Sequence, residues 1–546
     1  MRSTLRRVSG RYGVALTTAG VMLAACTAQG SGGDVRRGAA KPTTDAAIPS
    51  FTFAISKMPD TLSGFSTYTD SNFISALVTQ TLELTGDNAA FSPNLATKAV
   101  QTAPTRLVYT LRPDAKFSDG TPLTAQDVAW SITHATDPSQ ATSANLASVK
   151  KAEATGNGQV TVTLKYADPL GRAALAQVQV VQAASAKSHL KDLGTPGALP
   201  LGTGPYRYSS QDDQNIVLVP NTHYQGTVPK PRKITFTVVK DNSSAQLAMR
   251  SGDVQGKRLT DLKTASQWQS ISGTSVYAAD DMSSNLVSFD TSKAPFDDIH
   301  VRKAVAYAVD RDGVLKAAFG NYATPLKTLV PASELATVVP SEAEAGKFLD
   351  SLPTYKLDLK MAKEELVKSK HPQGFSMDLP YNSGSVWAKL LAITLEKNLK
   401  EIGIKATPKA VPGNQWAATI FSHKATGIQL LQGFSTTLAD PSALLTSFVG
   451  KANAIPNSIN IANYSSPAVE SALKVIDPPT GASSTKDERW KAVRQLMTDT
   501  ANQVPYLPLF SEQLAFVLAD GVAFTQAPKV FDLGDGNWIN LLRSTR

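Results

Sequence analysis

The sequence predicts a mixed α/β protein of more than one domain. Strand-like alternation and helical periodicity interleave irregularly along the chain. The 546 residues exceed what one core usually holds, which allows two to four domains, and 42% hydrophobic content is ample for sizeable cores.

The first 25 residues divide into the parts of a secretory signal. Arg2, Arg6, Arg7 and Arg11 make a positive start without acids, and Tyr12 to Ala25 is an apolar or small run too short to span a bilayer. The run ends in Leu23-Ala24-Ala25-Cys26, and Cys26 is the single cysteine of the chain. This tetrapeptide resembles the lipobox of bacterial lipoproteins. The resemblance implies cleavage before Cys26 and a diacylglycerol anchor on it, two acyl chains being enough to hold a soluble body at a membrane. A lone cysteine also excludes a disulfide framework. The Arg6-Arg7 pair leaves the export route open between the general and the twin-arginine pathway. From Thr27 to Ser50, Gly, Ala, Thr, Ser and Pro without apolar periodicity read as a flexible tether.

The body is expected to start at the alternating strand Phe51–Ile55. Leu107–Leu111 reads as a strand and Ser118-Asp119-Gly120 as a turn. Thr124 opens a helix with Asp127 completing a capping box. Val160–Tyr166, Ile216–Val219 and Lys233–Val239 read as further strands. Val301, Ala304, Val305, Ala308 and Val309 share one helix face. Another helix is predicted from Val386 to Glu401, stopping near Gly403, with a strand at Ile404–Thr407.

The formal charge of +9 falls to +5 once the four signal arginines are removed. The remaining charges are interspersed and no basic block alternates with aromatics, which argues against a nucleic-acid partner. No later stretch of the sequence has the length and apolarity of a membrane-spanning helix.

Six blocks, in order and at consistent spacing, are similar to the extracellular solute-binding proteins of family 5, receptors of peptide- and nickel-type ABC importers. They are Tyr109–Val128, containing Leu111-Arg112-Pro113-Asp114 and Phe117-Ser118-Asp119-Gly120-Thr121-Pro122; Gly202-Thr203-Gly204-Pro205-Tyr206 with Asn221-Thr222-His223-Tyr224; Pro295–Ala304 running to Asp310-Arg311; Leu399–Ile404; Ala439-Asp440-Pro441; and Val504–Leu509. The blocks themselves read as scaffold, because they supply turns, caps and helix braces such as Arg302 and Asp310.

The resemblance implies a two-lobed periplasmic-binding-protein-like α/β fold of type II. Lobe I would cover 51–286 with an extra subdomain at about 87–199, lobe II 287–507, and 508–546 would return to lobe I. Crossings are expected near Asn285–Asp290 and Pro505–Phe510. Lobe closure would bury a small soluble ligand, a peptide or peptide-like solute, and deliver it to a permease and ATPase complex. A monomer tethered on the extracytoplasmic face of the cell membrane is expected, with no cofactor and no metal. Tyr381, Asn382, Trp416, Phe434, Ser435, Thr437 and Asp440 are the candidate ligand-binding residues. The resemblance places an amine-binding Asp four residues before Pro441, where this chain has Thr437. Either Asp440 takes that role or the ligand carries no free amine there.

Other ligands (haem, a metal chelate, an oligosaccharide), a sensor and an unfamiliar surface hydrolase are the competing readings. The six histidines never stand at metal-ligand spacing. No G-x-S-x-G elbow and no phosphate-binding glycine loop occurs. An enzyme is not expected.

Overall fold

The computed structural model of the chain describes residues 35–37, 42–66, 69–86, 89–156, 158–425, 427–436, 438, 440–477 and 484–546. The expected signal, Cys26 and Thr437 lie outside the described residues.

The expected first strand forms as read: β1 is Phe51–Ile55. It pairs in parallel with β2 (Ile234–Val238) and with β3 (Gly256–Leu259), and β4 (Ser275–Asp280) lies further out in the same sheet. Residues of β1 alternate between two cores. Phe51, Phe53 and Ile55 pack on one face with Phe73 of α1 (Thr69–Ser75) and with Trp538, while Ala54 packs on the other with Met249 and Trp268. Phe73 and Trp538 stack at 4.3 Å, and the indole N–H donates to the Phe73 carbonyl at 3.3 Å.

A separate four-stranded antiparallel sheet spans Ala96–Leu164 and closes its own core with α2 (Ala125–Ala135). Its helix begins where the sequence places it. Thr124 Oγ1 accepts from the Asp127 N–H at 3.2 Å, and the Asp127 carboxylate accepts from the Thr124 N–H at 3.0 Å. Gly120 takes φ +89°, which the Asp119-Gly120 turn requires.

The second lobe is built around β5 (Ser283–Phe289), β6 (Ala323–Pro325), the parallel pair β7 (Ser376–Asn382) and β8 (Lys405–Val411), and β9 (Ile428–Ser435). Helices α3 (Ile299–Ala308), α4 (Arg311–Phe319), α5 (Val386–Ile402), α6 (Gly413–Phe421) and α7 (Lys486–Gln503) cover them. Helix α3 ends at Ala308, just short of Val309 on the expected face, and the Asp310 side chain caps α4 by accepting from the Gly313 N–H. The α5 prediction holds to its end, where Gly403 takes φ +97°. Arg302 braces as expected: its guanidinium donates to the Phe296 carbonyl at 2.6 Å and to the Gln503 carbonyl at 3.0 and 2.7 Å.

The last strand, β10 (Tyr506–Leu518), joins both lobes without a break. Its second half pairs with β3 and β4, and its first half with β5 and β6. The chain therefore changes lobes at Asp281-Met282 and Ser511–Gln513. These points adjoin the crossings expected near Asn285–Asp290 and Pro505–Phe510, Ser511 following Phe510 directly and Met282 preceding Asn285 by three positions. A continuous hydrogen-bonded strand, rather than a loop, carries the return. The segment read as tether up to Ser50 is partly docked on the sheet. Val35–Arg37 pairs antiparallel with Val276–Ala278 of β4, Thr44 bridges Ser544, and Ile48 is buried beside Pro231. Covering that sheet edge satisfies backbone groups that would otherwise face water.

Candidate ligand site at the lobe junction

Open α/β sheets bind ligands beyond the carboxyl ends of their strands. In the second lobe that edge is made by Tyr381 and Asn382, which close β7. Tyr381 is buried, and the Asn382 side-chain oxygen accepts from the Gly384 N–H at 3.0 Å, shaping the turn into α5. Trp416, on α6, is buried in the second-lobe core with its indole N–H unpaired among the described residues.

Phe434 and Ser435 end β9 directly beside the crossing. Register sets Phe434 opposite Ser284 and Ser435 opposite Ser283, and the Thr436 N–H donates to the Met282 carbonyl at 3.3 Å. Phe434 leans on Phe448 at 5.5 Å, while Ser435 is exposed.

Asp440 goes elsewhere. It is 2% exposed, and its Oδ1 accepts from Arg489 Nη2 at 2.7 Å and from the Ser442 N–H at 2.9 Å. Its Oδ2 is bound by the Thr337 hydroxyl. Its acceptors are committed to holding the second lobe together, because a buried carboxylate must be paired. Beside it Glu334 is fully buried with neither carboxyl oxygen hydrogen-bonded among the described residues. Burial, and then the charge of Asp440, keep Glu334 protonated well above the usual carboxylate range.

The sequence reading missed the charged groups at the crossing itself. Asp281 and Glu512 sit where the two crossing strands meet, the Asp281 N–H donating to the Glu512 carbonyl at 3.1 Å. Burial raises the pKa of both side chains. Glu512, further raised by the neighbouring Asp281 charge, is pushed up to about 7. Arg258 of β3 donates to Asp70 of α1 at 2.8 Å. A signal was present: Glu512 and Gln513 are the only polar pair inside the otherwise apolar run Phe510–Leu518 apart from Ser511. Among the described residues no cluster of His, Cys, Asp and Glu is arranged to hold a metal ion, and no helix is long and apolar enough to cross a membrane.

Residues 90–455 match the model of the bacterial extracellular solute-binding proteins, family 5 Middle. The glutathione-binding protein GsiB of Escherichia coli (strain K12) is 28% identical over 424 residues, covering 75% of this chain and 78% of that protein. Among solved structures, the ABC transporter substrate-binding protein CtaP of Listeria monocytogenes superposes with a TM-score of 0.76 at 20% identity, over 92% of this chain and 100% of that one. The periplasmic binding protein DppA of Helicobacter pylori, in complex with peptide STSA, gives 0.69 at 18% identity over 91% and 98%.

Proposed function

This chain belongs to the bacterial extracellular solute-binding proteins, family 5, and from that premise we propose that it captures peptide-like solutes at the outer face of the cell membrane. As a family 5 protein it is a binding component of an ABC importer, and the family is one of receptors rather than enzymes. The observation that carries the reading is the pair of strands β5 and β10, which join two lobes at one junction, the arrangement a hinge closure uses. Because both lobes touch ligand only when closed, the ligand itself supplies the free energy that favours closure. That GsiB is named for glutathione and that DppA holds a peptide support a peptide-like cargo.

In this reading Tyr381, Asn382, Trp416, Phe434 and Ser435 line the second-lobe wall, and Thr437 stands in the sequence where the resemblance places an amine-binding Asp. Lobe I carries its subdomain at about 87–199, and the chain passes between the lobes at Asp281-Met282 and again at Ser511–Gln513. Asp440 is left to its ion pair with Arg489. The chain works as a monomer, cut before Cys26 and held by lipid on that cysteine.

Native mass spectrometry of the purified chain, with melting shifts across a mixed peptide library, tests the cargo. A ligand that binds only the folded state raises the melting temperature. No shift with any peptide, beside a clear shift with sugars or haem, overturns it. For the anchor, Cys26→Ala is expected to move the protein from the membrane to the soluble fraction. An unchanged membrane fraction refutes lipidation.

A further inference from the structure

Four charged side chains, Arg258 of β3, Asp70 of α1, Glu512 of β10 and Asp281 of the β4–β5 link, converge on one face of the first-lobe sheet at the junction. Register sets Tyr277 and Arg258 opposite Phe516, and Ala279 opposite Leu514. Tyr277, Ala279 and Phe516 pack against Phe73 of α1, so this is the α1 face. Side chains alternate along a strand, which puts Asp281, two residues after Ala279, and Glu512, two before Leu514, at the end of that same face. Asp70 begins α1 on the same side and is joined to Arg258.

The charges there do not balance. Arg258 uses one donor on Asp70, and among the described residues no cation lies within ion-pair distance of Asp281 or Glu512. The Asp281 carboxylate accepts from the Met282 N–H at 2.8 Å and from the Ser283 side chain, and the Glu512 carboxyl has no hydrogen-bond donor among the described residues. Both groups stay partly open to solvent although protein surrounds them. The remaining Arg258 donors are likewise partly exposed, the side chain being 21% accessible. Lobe II supplies polar groups to the same place, since Ser435 pairs with Ser283 and the Thr436 N–H reaches the Met282 carbonyl.

We propose that this constellation is a subsite for a zwitterionic α-amino-acid head group, its ammonium set between Asp281 and Glu512 and its carboxylate on Arg258. Bringing an ammonium between two like charges removes their repulsion, and each contact is a charge-assisted hydrogen bond. The guanidinium fork suits the planar carboxylate. Because Asp281 lies in the link between β4 and β5 and Glu512 lies in β10, the head group would be held at the hinge while the rest of the solute extends toward the Tyr381–Asn382 edge. The inference rests on the reading of the chain as a receptor for peptide-like solutes and narrows it to those carrying a free α-amine beside a free carboxylate, as a γ-glutamyl group does.

Calorimetric titration of the full mature chain with three probes tests it: glutathione, its α-N-acetyl derivative, and triglycine, whose ammonium has no carboxylate on the same carbon. Glutathione is expected to bind most tightly, with each of the other two weaker by about 10- to 100-fold. Asp281→Asn with Glu512→Gln, and separately Arg258→Gln, are expected to weaken glutathione by a similar factor. Circular dichroism and melting temperature should show each variant folded. A misfolded double variant is replaced by the single Glu512→Gln, which conserves shape. Equal binding of the acetylated probe, or undiminished glutathione binding in folded variants, overturns the subsite and leaves the receptor function standing. Binding of peptides from the library but not glutathione does the same. Failure of every peptide-like probe overturns both.

Discussion

Asp281 and Glu512 meet backbone to backbone across the two strands that join the lobes, the N–H of one on the carbonyl of the other at 3.1 Å. Two acids are thereby held at the point about which the lobes must move. An acid whose folded pKa is raised destabilises the fold as pH rises, because the unfolded chain releases its proton more easily. The penalty is absent below the ordinary glutamate pKa, grows above it, and is complete once pH passes the folded value of about 7.

Glu512→Gln is therefore expected to leave stability unchanged near pH 4 and to raise it near pH 8, by about 1–3 kcal/mol with partial exposure allowed for. Urea midpoints across that pH range, variant against parent, check this. Asp535, also pushed up to about 7 mainly by burial, titrates in both proteins and cancels in the difference. A variant that gains as much at pH 4 as at pH 8 refutes the assignment.

Arg489→Met strands the buried Asp440 carboxylate beside Glu334. Removing one partner of a buried ion pair costs about 3–5 kcal/mol. A fall of that size in the second-lobe unfolding transition, read by urea denaturation, is expected. Lysine at the same position keeps the charge but is more strongly hydrated and so costlier to bury than the guanidinium, whose Nη2 donates to both Asp440 and Ser442 at 2.7 Å, and should recover only part.

Thr124→Ala removes the side-chain half of the capping box on α2, and a loss of about 1 kcal/mol is expected. Hydrogen exchange in Ala125–Ala135 should quicken while exchange in the second lobe stays as it was, since that helix packs within its own subdomain core.

Gly202→Ala puts a methyl group 2.1 Å from the Val78 carbonyl oxygen. No rotamer relieves a clash between backbone and Cβ, so the Gly202–Tyr206 turn must shift away from the Val78-Thr79 backbone. Overpacking of this kind costs about 1–3 kcal/mol, and a lowered melting temperature is the measurement.

The sequence blocks that read as scaffold are those whose chemistry is local. The Thr124–Asp127 box, the Asp119-Gly120 turn and the Gly403 stop each act within a few residues, so spacing alone exposes them. Arg302 shows the limit of that logic. Its role as a brace was legible, but the carbonyl it grips, Gln503, lies 201 positions away. Asp440 shows the same limit more sharply. Its place before Pro441 suggests a ligand contact, and only the approach of Arg489, 49 positions on, reveals a pair internal to the lobe.

The chain by itself determined the α/β class, the six ordered blocks and hence the family, because periodicity, caps and turns are written in neighbouring residues. Only the tertiary structure decided where the lobes cross and which charges meet there. Ser511 and Asp281 are 230 positions apart, and the hydrogen bond between them exists only because β10 runs unbroken through both lobes. Electrostatic and hydrogen-bond energies depend on distance in space, and a linear sequence does not carry that distance until a sheet folds it in.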